Sequence, residues 1–285
     1  MNRATKSRLK DKGFRYLGMG VTISCLLVLA IFVGFVIYMG VDRLSWEFMK
    51  SLPSRFAAQS GIYTAWIGTI WVLAFTTLIS FPLGVGAGIY LEEYARENKF
   101  ATFLEINIAN LAGVPSVIYG LLGLEVFVRM MQMGNSILAG ALTLALLILP
   151  IIIVSTRESI RAVPSTIRDA SNALGASKWQ TIWNQVLPAS FGGILTGVIL
   201  ALSRAVGETA PLIVVGALAY VPFAPQGPLD EFTVLPIQIF NWVTRPQHEF
   251  VVNAAAAIIV LLLITFVMNG IAVYLRNRWQ KKMDW

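Results

Sequence analysis

Six long apolar segments constrain this chain more than any other feature of its sequence. The hydrocarbon core of a bilayer is about 30 Å thick, and roughly 20 apolar residues in a helix are needed to cross it. The segments that meet this requirement are residues 17–41, 62–91, 101–128, 136–156, 189–220 and 251–275. The first is too long for the apolar region of a signal peptide, and no Ala-x-Ala-like cleavage site follows it. The sequence therefore predicts an all-α membrane protein with six transmembrane helices.

The charge content of the chain agrees with a membrane protein and argues against several other classes. Only 13% of the residues are charged, against about 25% in a soluble globular domain. The net charge of +7 comes from residues in the tails and short loops beside apolar segments, so we attribute it to membrane topology and not to nucleic acid. The single cysteine, Cys25, and the single histidine, His248, provide neither a disulfide nor a metal site. We predict no catalytic residues and no metal ligands.

The distribution of Lys and Arg predicts the orientation in the membrane. With the N-terminus inside, the cytoplasmic segments hold sixteen of the 22 basic residues and the external segments hold five, while Arg204 lies within a span. Basic residues accumulate in cytoplasmic loops, so both termini are predicted to be cytoplasmic. The chain then divides into a basic cytoplasmic tail at 1–16, a transmembrane domain at 17–275 and a cytoplasmic tail at 276–285.

Small residues recur at the spacing that allows two helices to approach closely. Gly193, Gly197, Ala201 and Ala205 occupy every fourth position of the fifth span. Further glycines lie at positions 84, 86 and 88 of the second span. These residues indicate a compact helical bundle, and they carry no information about a substrate.

The predicted cytoplasmic connection at 157–188 has a helical pattern. Pro164 and Ser165 mark the start of a helix, and Gly175 marks a stop where a positive φ costs little. Ser177 then lies three residues before Gln180, which is the spacing of a capping box. The apolar residues that follow at helical spacing are Trp179, Ile182, Trp183, Val186 and Leu187. We predict two short helices that meet at a glycine, the second with one apolar face, and that form a knob for another protein.

Part of this connection resembles the EAA loop of permeases from ATP-binding cassette (ABC) importers, whose pattern is E-A-A-x3-G-x9-I-x-L-P. The matching residues are Asp169-Ala170-Ser171, Gly175 and Leu187-Pro188, and the chain departs from the pattern at Asp169, Ser171 and Gln185. The resemblance implies coupling helices that bind in a groove of a separate ATPase subunit. Ala170 and Gly175 would permit close approach, while Arg168 and Asp169 would make polar contacts. The alternative is a simple connector between two spans.

The chain has no ATP-binding motif of its own. No G-x-x-x-x-G-K-[ST] sequence occurs, so the chain cannot hydrolyse ATP through a P-loop. We therefore predict no cofactor in this chain, and we place ATP and Mg²⁺ on the partner ATPase.

Two charged residues lie inside the fifth predicted span. Arg204 is about 22 Å along this span at 1.5 Å per residue, and Glu208 follows one turn later on the same face. Intramembrane charges are functional candidates, and a planar guanidinium suits a tetrahedral oxyanion. Together with the hydroxyls of Ser203 and Thr209, Arg204 and Glu208 are predicted to line a pathway for an anion. The alternative is a buried ion pair that locks helices together.

Over residues 61–275 the chain resembles the A-type permease subunits of the high-affinity phosphate importer, the Pst system. The stretches that carry the likeness are Tyr90-Leu91-Glu92-Glu93-Tyr94, Ala112-Gly113-Val114-Pro115-Ser116 with Tyr119-Gly120, Ser203-Arg204-Ala205-Val206-Gly207-Glu208-Thr209-Ala210 and Leu235-Pro236-Ile237-Gln238-Ile239-Phe240-Asn241-Trp242. The resemblance implies a type I (MetI-like) importer fold in the bacterial inner membrane, in a subunit that is not itself an enzyme. It also implies half of a phosphate pathway and three partners: a homologous second permease, an ATPase dimer and an extracytoplasmic phosphate-binding protein.

Two other functional classes are open at this point. An ion-coupled secondary transporter would explain the intramembrane charges but does not need the helical knob, and an intramembrane enzyme would need a catalytic constellation that the sequence does not show. The aromatic-rich outer loop at 221–250 is either part of a docking surface or an amphipathic element at the membrane interface.

Overall fold

The computed structural model describes residues 3–95, 99–217 and 220–280, and most of these residues are helical. The helices are α1 (Arg3–Gly40), α2 (Trp46–Lys50), α3 (Tyr63–Ile89), α4 (Lys99–Leu111), α5 (Ser116–Gly123), α6 (Ile137–Arg161), α7 (Ser165–Ala173), α8 (Lys178–Thr181), α9 (Leu187–Gly207), α10 (Ala210–Val215), α11 (Leu235–Val243) and α12 (Glu249–Gln280). Wider, π-helical turns extend α3 to Tyr94, α5 to Met130 and α8 to Val186. Arg96, which contributes to the predicted orientation, and residues 281–285 of the predicted tail lie outside the described residues.

Among the described residues, five helices are long and apolar enough to cross a membrane, and a bent pair provides a sixth span. The five are Asp11–Arg43, Tyr63–Tyr94, Ile137–Arg161, Lys178–Gly207 and Glu249–Arg278. The bent pair consists of Thr102–Leu111 and Ser116–Met130, whose axes differ by 101°. The predicted number of spans is confirmed, but the third span is not one straight helix.

Pro115 explains where the third span bends. Proline has no backbone N–H and disfavours the α conformation in the residue before it, so a helix tends to end ahead of it. α4 ends at Leu111, and Pro115 is the N-cap of α5, with ψ at 136°. The hydroxyl of Tyr119 donates a hydrogen bond of 2.8 Å to the carbonyl oxygen of Leu111, which connects the two sides of the bend.

α6 is the central helix of the bundle. In its most apolar stretch 67% of the residues are buried, and α3 and α9 pack against it. One end of α6 carries Arg157 and Arg161, with Arg168 of α7 nearby; we call this end of the bundle the basic end. The other end of α6 lies against residues 228–231, and we call it the loop-rich end.

The bent pair runs from one end of α6 to the other. In α4, Glu105 forms an ion pair with Arg157 at the basic end. In α5, Gly123 lies against Thr143 near the loop-rich end. The pair therefore crosses the bundle as a broken span.

The predicted close approach of small residues is found at two crossings of α6. The contacts are Gly193 with Ser159, Gly197 with Ser155, Gly84 with Ile152 and Gly88 with Thr156. A Cβ at any of these four glycines would overlap a side chain of α6, so the short distance between the helices requires glycine.

α1 lies at the periphery, since only 6% of its most apolar stretch is buried. It begins at Arg3, so most of the tail predicted at 1–16 is continuous with the first span. At its other end, Gly40 lies against the backbone of Ala255 and Ala256 in α12. Between Phe14 and Tyr38, α1 presents many apolar side chains outward, as a lipid-facing helix does.

Arg43 forms hydrogen bonds that hold the connection between α1 and α3 against α12 at the loop-rich end. Its Nε donates a hydrogen bond of 2.9 Å to Oδ1 of Asn253 in α12. One terminal nitrogen donates to the carbonyl oxygens of Ala57, Ala58 and Ser60 at 2.7–3.1 Å. With four hydrogen bonds to acceptors inside the protein, Arg43 stabilises this connection.

The outer loop at 221–250 contributes to the core. Phe232, Trp242 and Phe250 are fully buried, while Phe223 and Phe240 are exposed. Much of the aromatic content of this loop therefore packs inward, and a smaller part is available to a partner or to the membrane interface.

Candidate functional site

The fifth span ends at Gly207, well before the predicted boundary at residue 220. Pro211 has no N–H to donate to the carbonyl oxygen of Gly207, so one helical hydrogen bond is lost where α9 ends and α10 begins. Glu208 adopts an extended backbone (φ −77°, ψ 119°), and the short helix α10 follows. The span predicted at 189–220 is therefore interrupted after Gly207. Arg204 lies in the last turn of α9, and Glu208 is the C-cap of that helix.

Arg204 and Glu208 form an ion pair across this helix end. Nε of Arg204 lies 3.2 Å from Oε1 of Glu208, and their side chains are 39% and 18% exposed. Within the described residues, the two terminal nitrogens of Arg204 donate no hydrogen bond. The C-terminal end of a helix favours a positive charge. The guanidinium therefore keeps its outer N–H groups available to a ligand.

Two other arginines show how a structural arginine is held in this fold. Arg43 donates four hydrogen bonds to protein acceptors, and Arg168 also donates four. Arg204 donates one, to Glu208. This difference favours a ligand-binding role for Arg204 over a purely structural ion pair.

Ser203 and Thr209 are placed differently from the charged pair. Oγ of Ser203 lies 2.8 Å from the carbonyl oxygen of Ile199 and 2.8 Å from Oδ1 of Asn269 in α12. Thr209 is the N-cap of α10, but its side chain makes no capping hydrogen bond. The structure therefore brings Arg204 and Glu208 together, whereas Ser203 links α9 to α12.

Tyr119 and Gly120 of α5 border the same region, and the sequence analysis gave them no role there. Gly120 lies against α10, where a Cβ would be 2.8 Å from Cα of Pro211. Tyr119 is buried, and its hydroxyl is within electrostatic range of Arg204. The bend of the third span and the break after the fifth span are therefore neighbours. The Tyr119-Gly120 stretch was visible in the sequence, but only tertiary packing relates it to Arg204.

The predicted knob is present at the basic end. α7 covers Ser165–Ala173, and Gly175 has a φ of +84°, as expected for a glycine stop. The capping box is confirmed, because Oγ of Ser177 accepts a hydrogen bond from the N–H of Gln180 and the side chain of Gln180 accepts one from the N–H of Ser177.

The outer surface of the knob combines three predicted residues with one that the sequence analysis missed. Asp169, Ala170 and Gly175 are exposed. Leu174, which lies between them and was not singled out, is 90% exposed. Leu174 therefore adds an apolar side chain to the exposed surface of the knob.

The remaining coupling residues lie elsewhere. Leu187 and Pro188 begin α9 and are half-buried, with Leu187 packed against the main core. The guanidinium of Arg168 points toward Glu93, with N–O distances of 2.8 and 3.0 Å. These three residues position the knob and do not belong to its exposed surface.

The predicted single apolar face after Ser177 is divided in the structure. Ile182 and Val186 are buried, but Trp179 and Trp183 are exposed and stack with ring centroids 5.6 Å apart. The tertiary structure thus buries Ile182 and Val186 of this predicted face and leaves both tryptophans on the surface.

Glu125 and Arg129 form an ion pair at the end of the third span. Nη1 of Arg129 lies 3.0 Å from Oε2 of Glu125, and both side chains are exposed. An exposed pair of this kind contributes little to stability, which makes it a useful control for the Arg204–Glu208 pair.

Comparisons with known proteins agree with the geometry. Residues 81–281 match the family described as "Binding-protein-dependent transport system inner membrane component". The probable ABC transporter permease protein YqgI of Bacillus subtilis is 33% identical, with 99% of each chain covered. The phosphate transport system permease protein PstA of Haemophilus influenzae is 36% identical over 79% of each chain. PstA 1 of Mycobacterium tuberculosis is 34% identical over 84% of this chain and 78% of its own.

Solved structures with the same fold are permeases of other importers. A bacterial ABC transporter involved in the import of the acidic polysaccharide alginate superposes with a TM-score of 0.66 at 13% identity, covering 97% of this chain and 99% of its own. The inward-facing MetNI methionine ABC transporter gives 0.59 at 16% identity, covering 74% of this chain and 91% of its own. At these identities the likeness concerns the fold alone, and it confirms the predicted MetI-like architecture.

Proposed function

The chain belongs to the family of binding-protein-dependent transport system inner membrane components, and we propose that it is a permease subunit of an ATP-driven phosphate importer. It is a multi-pass inner-membrane protein and a transport subunit, and it forms half of the translocation pathway. The observation that supports phosphate as the substrate is Arg204, a partly exposed guanidinium with free outer N–H groups in the last turn of the fifth span. Relatives named phosphate permeases, at 34–36% identity over most of the chain, support the same substrate.

The Arg204–Glu208 pair explains how an anion can enter and leave this region. In the empty state, Glu208 neutralises Arg204 and so lowers the cost of a charge inside the membrane. Two oxygens of an arriving phosphate accept hydrogen bonds from the outer N–H groups of Arg204, in the bidentate geometry that guanidinium favours. The carboxylate of Glu208 accepts a hydrogen bond from a protonated phosphate oxygen. Because Glu208 also repels the anion, the site binds phosphate weakly enough to release it.

ATP hydrolysis takes place on another chain in this proposal. The knob of Asp169, Ala170, Leu174 and Gly175 docks into the ATPase subunit, and ATP and Mg²⁺ bind there. The complete importer also contains a homologous second permease, which supplies the other half of the pathway, and an extracytoplasmic phosphate-binding protein.

The basic end faces the cytoplasm. Arg157, Arg161 and Arg168 lie there, and basic residues accumulate on the cytoplasmic side of membranes. α1 reaches the loop-rich end at Gly40, and α12 starts there at Glu249. Both termini are consequently cytoplasmic, and the loop-rich end faces the binding protein.

Substitution of Arg204 tests this function in proteoliposomes that contain the whole importer. A hydrogen bond to a charged group contributes about 1.5–3 kcal/mol, and about 1.4 kcal/mol corresponds to a factor of ten. Arg204→Lys keeps the charge but loses the fork, so phosphate uptake should fall roughly 10- to 100-fold. Assembly and ATP hydrolysis should continue.

The double variant Arg204→Leu, Glu208→Leu separates transport from stability. A structural ion pair can often be replaced by apolar residues without loss of folding, so this variant should assemble and hydrolyse ATP but carry no phosphate. Arg129→Lys, in the exposed pair with Glu125, is the matched control and should transport normally. Uptake near the wild-type rate in the double variant would overturn the phosphate site.

A further inference from the structure

An ion cluster at the basic end connects four separate elements of the chain. Its carboxylates come from the end of α3 and from α4, and its guanidinium groups come from α6 and α7. The members are Glu92, Glu93, Glu105, Arg157, Arg161 and Arg168. Nothing in the proposed anion site or in the exposed knob uses these residues.

The π-helical turn Tyr90–Tyr94 is the centre of this cluster, because three consecutive side chains contact three different elements. Glu92 pairs with Arg157 and Arg161 of α6. Glu93 pairs with Arg168 of α7, and the ring of Tyr94 lies 5.1 Å from Nζ of Lys178 at the start of α8. A π-helical turn changes the direction of successive side chains relative to an α-helix, and such turns often occur at functional sites.

Arg168 makes the contact between the knob and the end of α3. Its Nε and one terminal nitrogen donate to the same oxygen of Glu93, at 3.0 and 2.8 Å. The carbonyl oxygens of Val163 and Ile160 accept two further hydrogen bonds, at 2.8 and 3.0 Å. The side chain of Glu93 is only 9% exposed. Among the described residues, this is the ion pair that joins α7 to a membrane-spanning helix.

Arg157 extends the connection to α4. Its side chain is 11% exposed and lies 3.4 Å from Oε2 of Glu92 and 2.9 Å from Oε1 of Glu105. α4 leads directly into the bend before α5, and α5 lies against α10 at Gly120, beside the Arg204–Glu208 pair. Contacts between charged side chains therefore link the knob to α4. Through the bend, α4 leads into α5, which borders the proposed anion site.

We propose that Glu93 and Arg168 are positioning residues that transmit movement of the knob to α3, and that Arg157 with Glu105 passes it to α4 and the bent span. When the ATPase moves the knob, α7 pulls on the end of α3 through this pair, and the bend at 112–115 changes its position against α10. This inference rests on the proposed importer function. It assigns to Arg168 a role inside the permease instead of a contact with the ATPase.

Substitutions at Glu93 and Arg168 test the role of this ion pair while the exposed surface of the knob stays the same. Glu93→Gln and Arg168→Gln should both leave the ATPase subunit bound, because the exposed surface of the knob is unchanged. In proteoliposomes with the whole importer, the amount of phosphate transported per ATP hydrolysed should fall at least tenfold. The reciprocal variant Glu93→Arg, Arg168→Glu should recover a large part of this ratio, since the pair is restored with opposite polarity. Glu125→Gln, in the exposed pair with Arg129 outside this cluster, is the matched control and should behave as wild type.

A second measurement does not depend on phosphate. Amide hydrogen exchange around the bend at 101–115 should change when ATP binds to the assembled wild-type complex, and this change should disappear in Glu93→Gln. A wild-type complex that carries no phosphate would count against the proposed function only. An unchanged exchange response and an unchanged ratio of transport to hydrolysis in Glu93→Gln would overturn the present inference. Loss of coupling in both single variants without recovery in the reciprocal variant would also overturn it.

Discussion

Replacing Gly88 with alanine tests the close packing of α3 on α6, and the same replacement at Gly86 provides a control on the same helix. At Gly88 a Cβ would lie 2.7 Å from two carbon atoms of Thr156 and 3.1 Å from the carbonyl oxygen of Ile153. Carbon atoms in good contact are about 3.5–4.0 Å apart, so the helices would have to separate by about 1 Å. At Gly86 no atom lies within 4 Å of the same position.

The magnitude follows from two opposing effects. Alanine is favoured over glycine in a helix by about 0.8–1.0 kcal/mol, so Gly86→Ala should stabilise the chain by about this amount. Gly88→Ala gains the same propensity but adds an overpacking cost of about 1–3 kcal/mol. Because the propensity effect cancels between the two variants, Gly88→Ala should be less stable than Gly86→Ala by about 1–3 kcal/mol.

Unfolding of the purified chain in mixed micelles measures this difference. The fraction unfolded is followed by tryptophan fluorescence as a denaturing detergent is added, and the midpoints of the two variants are compared. Gly88→Val should lower the midpoint further, since a branched side chain meets the same backbone oxygen. Equal midpoints for Gly86→Ala and Gly88→Ala would refute the close crossing of α3 and α6.

Two further predictions concern orientation and docking. In a Cys25→Ser background, a cysteine at Ser177 should react only with membrane-permeant thiol reagents, and one at Gln226 should react with an impermeant reagent added outside. Labelling of the Ser177 position from outside intact cells would reverse the assigned orientation. Burial of a leucine contributes about 1.5–3 kcal/mol, so Leu174→Asp should weaken copurification of the ATPase roughly 10- to 100-fold while the permease still inserts. Leu229→Asp, at an exposed leucine on the loop-rich end, is the control and should leave copurification of the ATPase unchanged. Equal copurification with the two variants would contradict docking at Leu174.

Local features of the sequence were sufficient for the class of protein and for the form of the knob. Apolar segments of about 20 residues indicate membrane spans because their length matches the hydrocarbon core, and this length does not depend on how the helices pack together. The Ser177–Gln180 capping box and the positive φ at Gly175 depend on neighbouring residues alone, and both were predicted correctly. The glycines at helix crossings were also visible, because their spacing of four residues is a local property.

Tertiary structure alone decided which of these elements meet. Hydropathy did not indicate that Trp179 and Trp183 stay exposed while Ile182 is buried, because burial depends on which distant segments pack against each residue. Pro115 and Pro211 lie at the two interruptions, but the angle of 101° in the third span depends on what packs against α5. The pair of Glu93 and Arg168 joins residues 75 positions apart.

The sequence by itself therefore determined that this chain crosses the membrane six times and carries a helical knob and an intramembrane Arg204–Glu208 pair. Only the folded structure decided that Arg204 keeps free N–H groups at a helix end while Arg168 has almost none. The physical reason is that hydrogen bonding of a long side chain depends on acceptors from distant segments, and no local pattern records where those segments lie.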